Sequence, residues 1–307
     1  MNIKKDIVEE LHKPARKHFK RRRVIVKGLN DLFQADLVEM IPYAKVNRGF
    51  RYILVVINVF SKYVWAYPVK RKSGEAVTQG MKKVFSNSIP KNLQTDMGKE
   101  FYNKHFQDLM KKFNVNHYSS YSNLKSSIVE RCNRTLKNMM WKEFSFQGSY
   151  KWLDLLPKIV EKYNSTKHRT TGFKPRDVNT KNEKVILAKA YSHLKHIDPK
   201  LPKYKLDDRV RISKYREAFS KGYTPNWSNE IFKIAEIKLT NPTTYILEDS
   251  NNQKIKGGFY EYELQKIKHQ DYYLVEKIIR KRGAKVFVKW LGLPKSANSW
   301  ILKKTLL

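Results

Sequence analysis

Apolar and polar positions change their period along this chain. Between Phe33 and Val69 they fall in short runs rich in aromatic and β-branched residues: Phe33-Gln34-Ala35-Asp36-Leu37-Val38, Tyr52-Ile53-Leu54-Val55-Val56-Ile57 and Tyr63-Val64-Trp65-Ala66-Tyr67-Pro68-Val69. Such runs predict strands, and Asn47-Arg48-Gly49 and Phe60-Ser61-Lys62 between them predict turns, giving a meander of three antiparallel strands. From Ser73 to Ser88 the period lengthens. Ala76, Val77, Met81, Val84 and Phe85 recur at helical spacing, with Ser73 as N-cap and the helix ending before Pro90. A short strand, Lys91 to Asp96, then ends on an acid. Residues 102–112 are predicted helical, Val115 to Tyr118 a strand, and Leu124 to about Phe144 a long helix, with a second helix at 150–166. A meander followed by strands alternating with helices predicts an α/β fold, a mixed sheet with helices on both faces.

Outside this region the pattern is different. Residues 1–30 have few apolar positions and are expected to form a basic N-terminal arm, in part helical, ahead of a core at 31–178. A lysine-rich linker at 179–203 leads to residues 204–267. There the short runs Arg209-Val210-Arg211-Ile212, Phe232-Lys233-Ile234-Ala235-Glu236-Ile237 and Thr244-Tyr245-Ile246-Leu247, punctuated by Asn-Pro, Asn-Asn and Gly-Gly, predict a small β-barrel. Residues 271–307 form a third unit around Phe287-Val288-Lys289-Trp290. No internal repeat is visible.

Composition narrows the partner. The chain has 307 residues, with 63 Lys+Arg against 28 Asp+Glu and a formal charge of +35. Hydrophobic residues at 41% and aromatics at 13% supply ordinary cores, so the charge marks a folded protein with a strong field and not a disordered one. A polyanion best matches that field, and nucleic acid is the first candidate. Ribosomal or histone-like proteins and membrane-binding proteins can be as basic, but do not usually carry so many aromatic and β-branched runs. Cys132 is the only cysteine, which excludes an internal disulfide or a Cys-pair zinc site and fits a reducing compartment. No apolar run approaches the roughly 20 residues that span a bilayer, so a soluble intracellular protein with no membrane partner is expected. Lys20-Arg21-Arg22-Arg23 reads equally as a nuclear address or as DNA-binding charge.

Three acids stand out, and each alone has an ordinary reading. Asp36 lies mid-strand, where Asp is disfavoured, but its alternation with Phe33, Ala35 and Leu37 would let it face solvent. Asp96 ends a strand, where open α/β sheets present ligands, yet Asp shortly before Gly98 is also turn chemistry. Glu130 shares a helix face with Arg134, Lys137 and Trp141, opposite Ile128, Cys132, Leu136 and Met139, which also describes a surface Glu–Arg pair.

Together they are more specific. Gln34-Ala35-Asp36, Val59-Phe60-Ser61-Lys62-Tyr63-Val64-Trp65, Gln94-Thr95-Asp96-Met97-Gly98-Lys99-Glu100-Phe101 and Val129-Glu130-Arg131-Cys132-Asn133-Arg134-Thr135-Leu136-Lys137 resemble the core motifs of integrases from Maverick/Polinton DNA transposons and related retroelements. Lys167-His168-Arg169-Thr170-Thr171-Gly172-Phe173-Lys174-Pro175 resembles their post-core signature, although a Gly-Pro helix stop explains the same residues. The resemblance implies a five-stranded ribonuclease H-like core. It implies a DDE polynucleotidyl transferase in which Asp36, Asp96 and Glu130 are both the catalytic acids and the ligands of two Mg²⁺ (or Mn²⁺) ions. The implied reaction is 3′-end processing of element DNA followed by strand transfer into target DNA, by at least a dimer, dimer or tetramer, acting in the nucleus. A catalytically silent or domesticated DNA- or chromatin-binding protein, and a plain nuclease of this fold, remain the alternatives.

Two features depart from the family. The interval from Asp96 to Glu130 is slightly short, which a trimmed loop near Ser119-Ser120-Tyr121 would explain. The His2Cys2 zinc domain of retroviral integrases cannot exist with Cys132 inside the predicted catalytic helix, so His12, His18, His193 and His196 are read as surface residues. Arg134, Lys137, Arg209 and Arg211 are the candidate DNA contacts, with Lys233 beside the last two. Residues 204–267 resemble the SH3-like barrel that follows integrase cores. Tyr273-Leu274-Val275-Glu276-Lys277-Ile278, Val288-Lys289-Trp290-Leu291-Gly292-Leu293 and Asn298-Ser299-Trp300 resemble a chromodomain, which implies that Tyr273 and Trp290 form part of a methyl-lysine cage for histone tails. Leu293 stands where the family has a third aromatic, and core packing accounts for Tyr273 and Trp290 about as well.

Overall fold

A computed structural model describes residues 3–16, 18–19, 24–119, 127–191, 201–214, 223–269 and 272–306. In chain order the helices and strands are α1 (Ile3–His12), β1 (Leu32–Glu39), β2 (Tyr52–Asn58), β3 (Val64–Val69), α2 (Gly74–Phe85), β4 (Asn92–Thr95), α3 (Lys104–Lys112), β5 (Asn116–Ser119), α4 (Ser127–Gln147), α5 (Leu155–Ser165) and α6 (Glu183–Tyr191). There follow β6 (Arg209–Ile212), β7 (Phe232–Lys238), β8 (Thr244–Glu248), β9 (Phe259–Tyr260), β10 (Leu264–Lys266), β11 (Val275–Arg282), β12 (Lys285–Trp290) and β13 (Ser299–Leu302). They group into two compact units, Val24–His196 and Met1–Arg23 with Ile197–Leu307.

The first unit is the expected mixed α/β layer structure. Its sheet runs in the order β3-β2-β1-β4-β5, with β1, β2 and β3 antiparallel and β4 and β5 parallel to β1. The turn that reverses β2 into β3 places Lys62 at φ 66°, in the left-handed region. Period-two alternation sorts the side chains of β1. Phe33, Ala35 and Leu37 pack with Val77, Met81, Val84 and Phe85 of α2 and Phe106, Leu109 and Met110 of α3. Val38, with Ile53, Val55 and Ile57 of β2, packs on the other face against Val129, Cys132, Leu136 and Met140 of α4 and Leu156 and Ile159 of α5. At about 1.5–3 kcal/mol per buried large side chain, these two apolar layers hold the helices to the sheet.

Helix boundaries follow their caps. The Ser73 hydroxyl accepts from Ala76 N at 3.4 Å to start α2, and Asn103 Oδ1 accepts from Phe106 N at 3.0 Å to start α3. The α2 helix stops at Phe85, three residues before the predicted end, because Asn87 and Ser88 N–H turn back onto the Val84 carbonyl. For α4 the described helix runs from Ser127, and the expected start at Leu124 and short loop around Ser120 and Tyr121 lie outside the described residues.

Part of the segment expected to link the domains is helical. Ile186 of α6 is buried among Val26, Leu32, Val59 and Phe60, and Glu183 Oε1 accepts from Leu29 N at 2.7 Å. Of the apolar run in α6, Ile186 and Leu187 meet the core edge while Val185 stays exposed.

The second unit holds a five-stranded antiparallel sheet, β10-β6-β7-β8-β9, around Tyr204, Val210, Ile234, Tyr245, Leu247 and Leu264. A separate antiparallel sheet has the order β11-β12-β13. The N-terminal segment departs from the arm expected of it. Ile7 and Leu11 of α1 are buried, Asn226 N donates to Leu11 O at 2.8 Å, Trp227 Nε1 to Lys13 O at 2.8 Å, and Lys268 N to Glu10 Oε1 at 2.9 Å. Ile3, Ile7, Val8 and Leu11 recur at helical spacing in α1, but so short a pattern does not say which element will cover it. His12 and His18 are exposed, while Lys20–Arg23, His193 and His196 lie outside the described residues apart from Arg23's place in this unit's bounds.

Candidate active site

The three acids sit on three different elements that one buried amide ties together. Gln34 of β1, two residues before Asp36, donates from Nε2 to Gln94 Oε1 at 2.8 Å. Gln94 lies two residues before Asp96. The Gln34 Oε1 accepts from Val129 N at 3.0 Å, one residue before Glu130. This N–H belongs to the first turn of α4, where no intrahelical acceptor exists, so Gln34 caps the helix that carries Glu130. Gln34 is 0% exposed, and a buried amide with both ends bonded fixes its neighbours in register.

Asp36 does not face open solvent. Its side of β1 is covered by α4, where Asn133 Nδ2 donates to Asp36 Oδ2 at 2.7 Å, and Leu37 N donates to Oδ1 at 2.9 Å. Burial pushes the Asp36 carboxyl up to about 6. Its bond from Leu37 opposes the shift, the charges of Asp96 and Glu130 add to it, and Lys137 counters it. Asp96 and Glu130 are each within electrostatic range of Asp36. Glu130 is itself raised by partial burial, with Arg134 opposing. Asp96 is the first residue past the carboxyl end of β4, where its Oδ1 accepts from Gly98 N at 3.1 Å. Thr95 beside it is locked by a 2.9 Å bond to His117 Nε2, and Gln107 Nε2 meets His117 Nδ1 at 2.9 Å.

Cations frame the acids. Arg134 and Lys137 are exposed on the Glu130 side of α4. Lys72 pairs with buried Glu100 at 3.3 Å and with Glu39 at 3.8 Å. Partial burial works against its charge, but Glu100, Glu39 and Asp96 hold it above its ordinary range. Gln34, Asn133 and Lys72 escaped the sequence reading. Gln34 carried a signal, a second polar residue inside an apolar strand run, whereas nothing in the periodicity marks Lys72.

Residues 27–122 match the family model described as Integrase core domain, a span that holds Asp36 and Asp96. A transposon-derived protein of Caenorhabditis elegans is 33% identical over 207 residues, covering 67% of this chain and 68% of the relative. The chain belongs to the integrase core family. The Pro-Pol polyprotein of simian foamy virus type 1 is 28% identical over 134 residues, 43% of this chain but only 12% of that polyprotein. Among solved structures, a simian T-cell lymphotropic virus intasome in complex with PP2A regulatory subunit B56 gamma aligns over 83% of this chain and 88% of its own. Its TM-score is 0.54 at 17% identity, a likeness of fold.

The donor set of this integrase core suits a hard divalent cation. Asp36, Asp96 and Glu130 offer only oxygens, and a cation would offset both the burial that raises the Asp36 proton affinity and the neighbouring charges of Asp96 and Glu130 that add to it. Among the described residues no three acidic, His or Cys side chains are gathered into a finished cage. Unscreened carboxylates repel, and Asp36 and Asp96 meanwhile accept N–H groups.

Of the candidate DNA contacts on β6, Arg211 is corrected. It is 2% exposed, donates from Nη1 to Ser228 O and Asn229 O at 2.8 Å each, and lies 3.8 Å from Glu10. Burial pushes the guanidinium down and Glu10 supports it, so Arg211 ties α1 to the β6 sheet and is closed to phosphate. Arg209 is half-buried, and Lys233 pairs with Glu248 at 3.2 Å. Strand alternation alone could not assign a face, because Arg211 is turned inward by α1, which lies some 200 residues away in sequence. The Tyr273 and Trp290 rings are 5.9 Å apart at 60°, with Trp290 Nε1 donating to Ser299 Oγ at 3.0 Å. Leu293 is half-buried, and the Tyr273 hydroxyl lies within electrostatic range of Arg211.

Proposed function

We propose that this chain is the integrase of a Maverick/Polinton-like mobile element, a DDE polynucleotidyl transferase that processes element 3′ ends and joins them to target DNA. The observation that supports the reading is the placement of Asp36 on β1, Asp96 just past β4 and Glu130 on α4, with the charges of Asp96 and Glu130 reaching the Asp36 carboxyl, whose proton affinity burial raises. The three carboxylates would hold two Mg²⁺ or Mn²⁺ ions, which activate the attacking oxygen and stabilise the leaving one. Asn133 orients Asp36, and Gln34 sets the start of α4 so that Glu130 faces the other two acids. Arg134 and Lys137 hold the phosphate backbone beside the cut, and Arg209 tracks the duplex farther along. Joining two ends calls for a dimer or tetramer, and chromosomal target DNA places the reaction in the nucleus.

Asp96→Asn is expected to lose Mg²⁺-dependent strand transfer by at least about a thousandfold, as removal of a metal ligand costs several kcal/mol of barrier. Duplex binding should be unchanged. A gel-based assay with candidate element termini reads both. Joining at the normal rate sinks the site, nicking without joining makes the protein a nuclease, and binding alone makes it a silent DNA-binding protein. Replacing Arg134 and Lys137 together by Ala should lower the slope of log K against log[salt] by about 2, the loss of two phosphate contacts. An unchanged slope removes them from the interface.

The tilted Tyr273–Trp290 pair supports a pocket for methylated lysine with two aromatic walls and Leu293 as an aliphatic one. Trimethylated histone H3 peptides should then bind the full chain more tightly than unmethylated ones. Equal binding would make the pair a packing contact.

A further inference from the structure

The α4 helix has two flanks beside its buried stripe. At about 100° per residue, Glu130, Arg134 and Lys137 occupy one, and Ile128, Arg131, Thr135 and Met139 the other. The second flank, with Arg131 and Thr135 exposed and Ile128 and Met139 half-buried, borders a concavity. The flank walls an open cavity of about 370 Å³ lined also by Ile57 of β2, Lys62 of the β2–β3 turn, Tyr163 of α5 and residues 166–170.

The cavity is polarised. Its rim carries Lys62, Arg131, Lys167, His168 and Arg169, and its lining contains no carboxylate. The cations among them, Lys62, Arg131, Lys167 and Arg169, form no ion pair with an acid among the described residues, unlike Lys72 or Arg176 elsewhere in the same unit. Lys62 is held in place by a 2.6 Å bond to Val59 O. His168 Nδ1 accepts from Thr170 N at 3.2 Å, which leaves Nε2 as its N–H donor. The floor is apolar, made by Ile57, Ile128 and Met139, with the Cys132 thiol and Tyr163 hydroxyl bonded to each other. The excess of positive charge is felt by the groups themselves. Burial, then Arg131, pushes Lys62 down to about 8, and burial with Lys62, Arg131 and Arg169 pushes His168 down to about 4.

A cationic rim above an apolar floor matches a ligand with a charged phosphate at one end and a flat apolar ring at the other. We propose that this cavity is a nucleotide-binding subsite, separate from the acids, which takes a nucleotide phosphate on Arg131, His168, Arg169 and Lys62 and its base against Ile57, Ile128 and Met139. A free nucleotide and the unpaired end of a DNA strand present the same chemistry.

A chain of charge +35 attracts nucleotides everywhere, so the test must be read at the cavity. In the full chain with ¹³C-labelled histidine, the His168 ring signal is assigned by its loss in His168→Gln and followed during titration with dAMP. A saturable shift is expected. Inorganic phosphate should need at least about tenfold higher concentration, a difference of about 1.4 kcal/mol that the base supplies. Arg131→Glu combined with Arg169→Glu should weaken dAMP at least about tenfold, and because both side chains are exposed the melting temperature should hold. A 5′-phosphorylated single-stranded oligonucleotide that binds more tightly than dAMP identifies a strand end as the occupant, and dAMP binding alone identifies a free nucleotide. The proposal is overturned by the absence of a saturable His168 shift, by equal affinity in the charge-reversed variant, or by phosphate binding as tightly as dAMP.

Discussion

Asp36→Asn should end strand transfer and at the same time make the metal-free protein harder to unfold. Asp36 binds its proton more tightly in the folded chain than in the unfolded one, at about 6 against an ordinary 3.8. A raised acid favours the folded state at low pH, and the advantage is lost as pH rises through that window. Above about pH 7 the ionised carboxylate therefore costs the fold about 2–3 kcal/mol. The replacing amide removes that cost. It can still accept from Leu37 N, and its new N–H donors can meet Asn133 Oδ1, now buried without a partner, if the Asn133 amide rotates. For a unit of this size the gain is about 4–12 °C in Tm at pH 7.5. It should shrink towards zero near pH 4. Mg²⁺ should reverse the order, stabilising the parent chain by mass action and leaving the variant unmoved. Thermal unfolding at two pH values, with and without Mg²⁺, reads all of this. A variant that is less stable at pH 7.5 and no different with Mg²⁺ would show that Asp36 is neither repelled by its neighbours nor a ligand.

Gln34→Leu is expected to be destabilising and catalytically crippling together, although Gln34 touches no reacting atom. The substitution keeps the volume but leaves Gln94 Oε1 and Val129 N without partners in the interior. At about 1–3 kcal/mol for each stranded group, the loss is about 2–6 kcal/mol. The Val129 bond also fixes where α4 begins and hence where Glu130 points. Misplacing a catalytic group by about 1 Å costs about a hundredfold in rate. Strand transfer should fall by that much at temperatures where the variant remains folded, and Mg²⁺ should raise its Tm less than it raises the parent's. Normal joining by a folded Gln34→Leu chain would show that β1, β4 and α4 hold their acids without the amide.

Gln34 and Asp36 illustrate how far the sequence could be read. Both interrupt an apolar strand on the same side, and alternation alone allowed that side to be wet. The flanking motifs identified Asp36, but no local pattern said that a helix beginning some 90 residues later covers both. Glu130 was legible because a helix repeats every 3.6 residues, so its neighbours Arg134 and Lys137 could be placed on its face from spacing alone. The opposite error arose at Arg211. Its strand was predicted correctly, but the face it buries depends on α1, a helix at the other end of the chain whose own short period does not name the element it packs on.

The order of strands and helices, the basic field and the candidacy of the three acids were legible in the sequence itself, because periodicity, charge and short motifs are local properties. Which face each strand buries, the Gln34 bridge between three elements, the Asn133 contact, the loss of Arg211 to an interior pair and the cationic cavity behind α4 were decided only in three dimensions. Each requires residues far apart in sequence to exclude water from one another. Burial, which converts a surface Asp into a strained carboxylate and a DNA-facing Arg into a tie between elements, is a property of the neighbours and not of the residue.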